Sequence, residues 1–156
     1  MQDIFSAIEE NDESKLEAEL KKEDAPLNRR NRGGYTPLIL ASYMGQKMLC
    51  KLILAAGANI EGRDFKGNTA LMGVSFKGNY EIAKYLIEKG ANVNAQNYDS
   101  KTPLLFAASY NQPKIVELLL VNGATRGIKD TNRKTALDYA KENNYDEIVR
   151  LLERVD

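Results

Sequence analysis

A threonine followed by proline or alanine and then leucine returns four times along the chain, as Thr36-Pro37-Leu38, Thr69-Ala70-Leu71, Thr102-Pro103-Leu104 and Thr135-Ala136-Leu137. The threonines are 33 residues apart at every interval, and Gly57-Ala58, Gly90-Ala91 and Gly123-Ala124 keep the same beat. A fixed period between about 20 and 50 residues marks small supersecondary units, each unable to bury its apolar face alone and stacked on its neighbours to share a core.

The period sets expected boundaries. Residues 31–63, 64–96 and 97–129 read as full units, 1–30 as a degenerate first unit and 130–156 as the last, together one domain over 1–156. In each full unit the threonine hydroxyl can accept from a free amide at a helix start, and proline beside it suits the first turn, where its missing N–H costs nothing. Gly45 and Gly57 are expected to stop the two helices of residues 31–63, with the second running from Lys47 to Ala56. Asn111 stands where glycine stands elsewhere and is expected to be left-handed; Pro113 falls in a first turn. Gly73 and Val74 are expected to weaken the first helix of 64–96, glycine alone costing about 1 kcal/mol against alanine. In the first unit Asp3 is expected to cap a helix through about Asn11, with a second from Glu13 to Glu23. There Glu17 and Lys21 replace the apolar Val116 and Leu120, and Asp138, Lys141 and Glu153 make the same exchange in the last unit. Polar outer faces suit the two ends of a stack, although a worn repeat of a longer array would look the same.

Composition narrows the chemistry. Forty-three per cent hydrophobic and 28% charged residues describe a globular chain, and 22 cations against 22 carboxylates give no overall field for nucleic acid or an anionic membrane. The first eleven residues hold no long apolar run, so neither a signal peptide nor a membrane span is expected there, and a cytoplasmic location follows; a secreted or periplasmic one would need a leader removed upstream. Histidine is absent and Cys50 is the only cysteine. The commonest general base and metal ligand is therefore missing, as are any internal disulfide and any thiolate metal cage. Cys50 shares its register with Ala83 and Val116 and reads as a packed thiol. Gly33-Gly34 is followed by no lysine-serine or lysine-threonine pair and reads as a turn. No catalytic residue, metal site or cofactor is expected.

Asp64, Gly67, Thr69, Leu71, Gly78, Ile82, Leu86, Gly90-Ala91 and Val93-Asn94, with comparable sets in the next units, closely resemble the ankyrin-repeat family. The resemblance covers essentially the whole chain. It departs at the family histidine, replaced by Ile39, Met72, Leu105 and Asp138, and at the turn glycine, replaced by Ser100 and Arg133. Loss of that histidine implies loss of its hydrogen bonds between repeats and a less stable stack. The family implies an all-α solenoid of stacked helix-turn-helix units with projecting β-turn or hairpin tips, which binds proteins through the concave face formed by the first helices and the tips.

Carried over residue by residue, the family's variable contact positions are Arg32, Tyr35, Tyr43 and Met44, then Phe65, Lys66, Asn68, Phe76 and Lys77, then Tyr98, Asp99, Lys101, Ser109 and Tyr110. Six of the twelve Phe and Tyr residues fall on this strip. Interfaces are anchored by aromatic and arginine side chains, so the strip implies a protein partner; the alternative is that the same rings lie over neighbouring turns and stiffen the stack. Tip residues 28–35 and 125–134 each carry a net +3, the central tips balance, and the rest of the chain is −6, which suits a partner with an apolar centre and acidic flanks. The expectation is a monomeric adaptor or inhibitor with no nucleic-acid or membrane partner. A host-directed effector using the same surface and a structural protein without a specific partner are the alternatives.

Overall fold

The computed structural model describes residues 3–154, and the expected domain limits at Met1 and Asp156 lie outside them. Ten helices occur among the described residues: α1 Ile4–Glu9, α2 Glu13–Leu20, α3 Pro37–Tyr43, α4 Lys47–Ala55, α5 Ala70–Lys77, α6 Tyr80–Glu88, α7 Pro103–Ser109, α8 Pro113–Val121, α9 Ala136–Glu142 and α10 Asp146–Glu153. Each odd helix packs on the even helix that follows it. The odd helices also pack in a row, α1 on α3, then α5, α7 and α9, and the even helices form a second row behind them.

The threonine phrases start the first helices as the sequence requires. Thr36, Thr69, Thr102 and Thr135 are extended, and each side chain accepts from the amide three residues on, at 3.2, 3.4, 3.2 and 3.2 Å. Register then fills the core. Leu38, Leu71 and Leu104 are buried at one level, Leu49, Ile82, Ile115 and Ile148 at another, and Ile53, Leu86, Leu119 and Leu152 at a third. Each such side chain contributes about 1.5–3 kcal/mol on burial. Leu137, in the last of the described units, is only partly buried.

Helix ends follow local chemistry. Asn111 takes φ 55° and Ser100 and Arg133 take φ 60° and 62°, so the left-handed turns survive without glycine. α2 stops at Leu20, short of the expected Glu23, and α4 stops at Ala55 with Ala56 as its cap. For α2 the reason is electrostatic and steric: Glu23 and Asp24 would add negative charge at the negative helix end, and Pro26 follows. α5 forms in full despite Gly73. The tips stay turns, with no strand among the described residues. Backbone to backbone, they are joined by single bonds such as Tyr98 N–H to Lys66 O at 3.1 Å and Thr131 N–H to Asp99 O at 3.0 Å.

The residues replacing the family histidine divide by chemistry. Asp138 Oδ2 accepts from the Thr135 amide at 2.8 Å and the Met72 sulfur lies 3.4 Å from the Thr69 amide, whereas Ile39 and Leu105 are simply buried. Other polar groups join neighbouring units. Asn28 Oδ1 accepts from Asn59 N–H at 2.7 Å, Glu61 Oε1 from Asn92 N–H at 2.7 Å, and Asn94 Oδ1 from Thr125 N–H at 2.8 Å. Gln46 and Gln112, at the starts of α4 and α8, reach back to the Ile8 and Phe76 carbonyls of the preceding unit at 2.8 and 3.1 Å. Asn79 in the same register is one methylene shorter and caps its own helix at Ile82 N–H, 3.2 Å.

Candidate binding groove

Between the tips and the first helices of the middle units runs a groove of about 530 Å³. Its tip wall is built from Tyr35, Phe65, Lys66 and Asp99, and its helix wall from Tyr43, Phe76, Phe106 and Tyr110. Ile39, Met72 and Gly73 lie at its floor. Asp64 and Asn97 hold the tip wall rigid. Asp64 Oδ1 accepts from the Lys66 and Asn68 amides at 2.8 and 2.9 Å, and Asn97 Oδ1 accepts from those of Asp99 and Lys101 at 3.0 and 2.9 Å. Asn97 Nδ2 then donates to Asn68 Oδ1 at 2.8 Å, tying the two tips together.

The tip aromatics are placed by glycines. A Cβ on Gly34 would come within 2.4 Å of the Phe65 ring, and one on Gly67 within 2.8 Å of the Tyr98 ring. Each ring thus rests against the preceding turn, and Phe65 is still 61% and Tyr98 66% exposed. The Arg30 guanidinium sits 5.4 Å from the Phe65 ring centre. At the helix ends the Lys77 ammonium lies 4.5 Å above Tyr43, and the Lys101 ammonium stands between Phe106 and Tyr139 at 5.9 and 5.8 Å. These are cation–π distances.

Of the residues the sequence singled out, Tyr35, Tyr43, Phe65, Lys66, Asn68, Phe76, Asp99, Lys101 and Tyr110 come together in the groove. Met44 and Lys77 border a wider and flatter cleft of about 740 Å³ beside it, with Tyr80 and Glu81. Arg32 and Tyr98 are exposed on the tips but do not line the groove.

Four residues differ from the expected exposed strip, among them Lys101, half-buried beside Phe106 and Tyr139. Phe76 is half-buried, because the Tyr110 ring of the next unit packs edge-on against it at 4.3 Å and 70°. Asn68 is held by Asp64 and Asn97, and Ser109 turns its hydroxyl back to the Leu105 carbonyl at 2.7 Å. Sequence reading missed Gly73, Met72, Ile39 and Phe106. The available signal was register, since Leu40, Gly73, Phe106 and Tyr139 are 33 apart and only one of them lacks a side chain.

Ionisable groups around the groove are mostly spent on structure. Burial alone would raise the Asp130 carboxyl, but hydrogen bonds from the Tyr139 hydroxyl and from the Lys134 and Asn132 amides, with the Lys101 charge, bring it below the ordinary value. Cys50 is buried away from the groove, its thiol pushed up to about 11 chiefly by that burial. Among the described residues no group of three or more His, Cys, Asp or Glu side chains could hold a metal ion, and no helix is long and apolar enough to cross a membrane.

Paired helices stacked in two rows, with turns projecting beyond the first row, define a helical repeat solenoid. Family models described as ankyrin repeats in three copies and ankyrin repeats in many copies match residues 4–97 and 86–140, and the chain belongs to the ankyrin-repeat family. Ankyrin repeats generally mediate protein–protein interactions and are typically not enzymes. A search of curated proteins found no match to the chain.

Proposed function

We propose that this protein is an interaction module, an adaptor or inhibitor that acts as a monomer by occupying a partner protein's surface through the groove between tips and first helices. The observation that carries the reading is the convergence of Tyr35, Tyr43, Phe65, Phe76, Phe106 and Tyr110 on one concave surface. Packing explains the Phe76–Tyr110 contact, but it does not require Tyr35, Tyr43 and Phe65 to stay exposed. Burying one such ring against a partner contributes on the order of 1.5–3 kcal/mol, so two or three support micromolar binding after association costs. A balanced net charge favours a protein over nucleic acid or a membrane, and the free, buried Cys50 suits the cytoplasm.

The test is a pull-down from the source cell's lysate with wild type and a Tyr43→Ala/Phe76→Ala/Tyr110→Ala variant, read by mass spectrometry. Because Phe76 is half-buried, a Tyr43→Ala/Tyr110→Ala variant with wild-type helical content accompanies it. Proteins retained by wild type and lost with both variants support the reading; identical retention by all three chains sinks it.

A further inference from the structure

Free positive charge is concentrated at one end of the row of tips. Residues 28–35 hold Arg29, Arg30 and Arg32 and no carboxylate, and the turn before them, Lys21-Lys22-Glu23-Asp24, is balanced. All three arginines are exposed, and among the described residues none of their side chains makes an ion pair or a hydrogen bond. Asn31 stands where Asp64 and Asp130 stand in later tips, so no acid is built into this one. Its Oδ1 accepts only from the Tyr35 amide, at 3.0 Å, whereas the matching oxygens of Asp64, Asn97 and Asp130 each take two amides. The exposed Gly33 thus keeps an amide with no acceptor among the described residues. The last tip differs. Lys134 pairs with Glu142 at 2.9 Å, Arg126 donates to the Leu152 and Arg154 carbonyls, and the Lys129 charge acts on Asp138.

We infer that the first tip docks a run of aspartate or glutamate side chains from a protein partner, so that the partner is acidic on one flank and not on both. The inference rests on the proposed role of the groove, and the continuity of the two surfaces is what selects a protein. Gly33, Tyr35 and Phe65 line the groove, Arg32 directly precedes Gly33, and the Arg30 guanidinium sits 5.4 Å from the Phe65 ring centre. A segment leaving the groove past Phe65 therefore runs onto the arginines. Guanidinium suits this place, because it stacks on a ring with its face and still offers a planar fork of N–H donors to a carboxylate. A run of acidic side chains also does not require the three arginines to converge on one point, as a single phosphate would. Nucleic acid needs a longer basic track, and the second and third tips balance to zero, so its phosphates would lose their attraction within one tip.

The test titrates the full-length, nitrogen-15-labelled protein at low salt with hexaglutamate, hexaglutamine and hexathymidylate, and follows the backbone amide shifts. Hexaglutamate should move the Arg32, Gly33 and Phe65 amides and leave those of Arg133 and Lys134 in place; hexaglutamine should move none. An Arg29→Gln/Arg30→Gln/Arg32→Gln variant, altered only at exposed positions outside the helices, should melt as wild type does and bind hexaglutamate at least about fivefold more weakly, the loss expected of three exposed ion pairs. Tyr43→Ala/Tyr110→Ala should bind it unchanged. No shift at the first tip, equal shifts at both end tips, equal shifts with hexaglutamine, or undiminished binding by the arginine variant overturns the inference. Tighter binding of hexathymidylate at the same amides also overturns it, in favour of a nucleic-acid contact. In the lysate pull-down, proteins lost with the aromatic variants should also be lost with the arginine variant. If the arginine variant retains them in full, the acidic flank is refuted and the groove reading stands; if the aromatic variants lose nothing, both fall.

Discussion

The buried thiol of α4 gives a stability experiment with a definite sign. Cys50 has no exposed surface, its sulfur lies 3.4 Å from the Ser42 hydroxyl, and burial outweighs the hydrogen bonds in raising it from the ordinary 9.0 to about 11. An acid whose folded pKa is raised holds its proton longer in the native state. Its contribution is therefore complete below about pH 9 and is lost as pH rises from there toward 11. Two pH units correspond to roughly 2.7 kcal/mol. Tyrosines and lysines titrate in the same range, so the informative quantity is the difference between wild type and Cys50→Ala. At pH 7 wild type should lead by about 1 kcal/mol, the packing lost with the sulfur. Urea titrations followed by circular dichroism should show that lead vanish and reverse, by roughly 2 kcal/mol in total, between pH 8 and 10.5. A lead that stays flat across this range refutes the argument, because it would mean that ionising Cys50 costs the folded state nothing. Alkylation by iodoacetamide at pH 8 adds a local readout: Cys50 reacts only when α3 and α4 open. If neighbouring units are coupled, Gly73→Ala on the adjoining α5 should slow it.

Three further outcomes follow from described contacts. Gly67→Ala should cost about 1–2 kcal/mol in urea denaturation, since the site has φ +79° and the new Cβ would press on the Tyr98 ring; Ser100→Gly at the same turn position should gain up to about 1 kcal/mol. Asp130 is held below its ordinary pKa, so its contribution is present above about pH 4 and is lost as pH falls through the folded value. The Tm of Asp130→Asn should accordingly depend less on pH between 5 and 2 than that of wild type. Gln112→Ala should cost about 1 kcal/mol through the stranded Phe76 carbonyl, and Gln46→Ala less, because Gln46 Oε1 is already buried without a partner among the described residues.

The period was legible because it acts through short-range chemistry. A hydroxyl three residues before an amide caps a helix wherever the rest of the chain goes, which is why all four threonines fall at helix starts. Burial at shared registers was equally readable. Side-chain partnerships between units were not. Whether Phe76 faces outward depends on how far Tyr110 reaches across the step between α5 and α7, a distance that a one-dimensional period does not contain. The same limit hid Asn68, whose partner Asn97 is 29 residues away. Gly73 reads in the sequence as a weak helix position, and nothing in a one-dimensional period says that it also lines the groove. The contrast between Gln46 and Asn79 was readable in principle, because one methylene decides whether an amide reaches the unit behind or folds onto its own helix.

At each seam closed by Asn28, Glu61 and Asn94, a side-chain oxygen of one unit receives a peptide N–H of the next. The donor belongs to the backbone, so it does not depend on which residue stands there, and asparagine or glutamate serves as acceptor. The seams are in this sense generic. Excising residues 64–96 would set Glu61 opposite the Thr125 amide, in the register that Asn94 now occupies. Copy number is thus a variable this architecture can change by whole units, through duplication or unequal recombination, without redesign of the joints. The groove then lengthens or shortens in steps of one tip and one helix, and what distinguishes one length from another is the set of side chains each step adds to its floor.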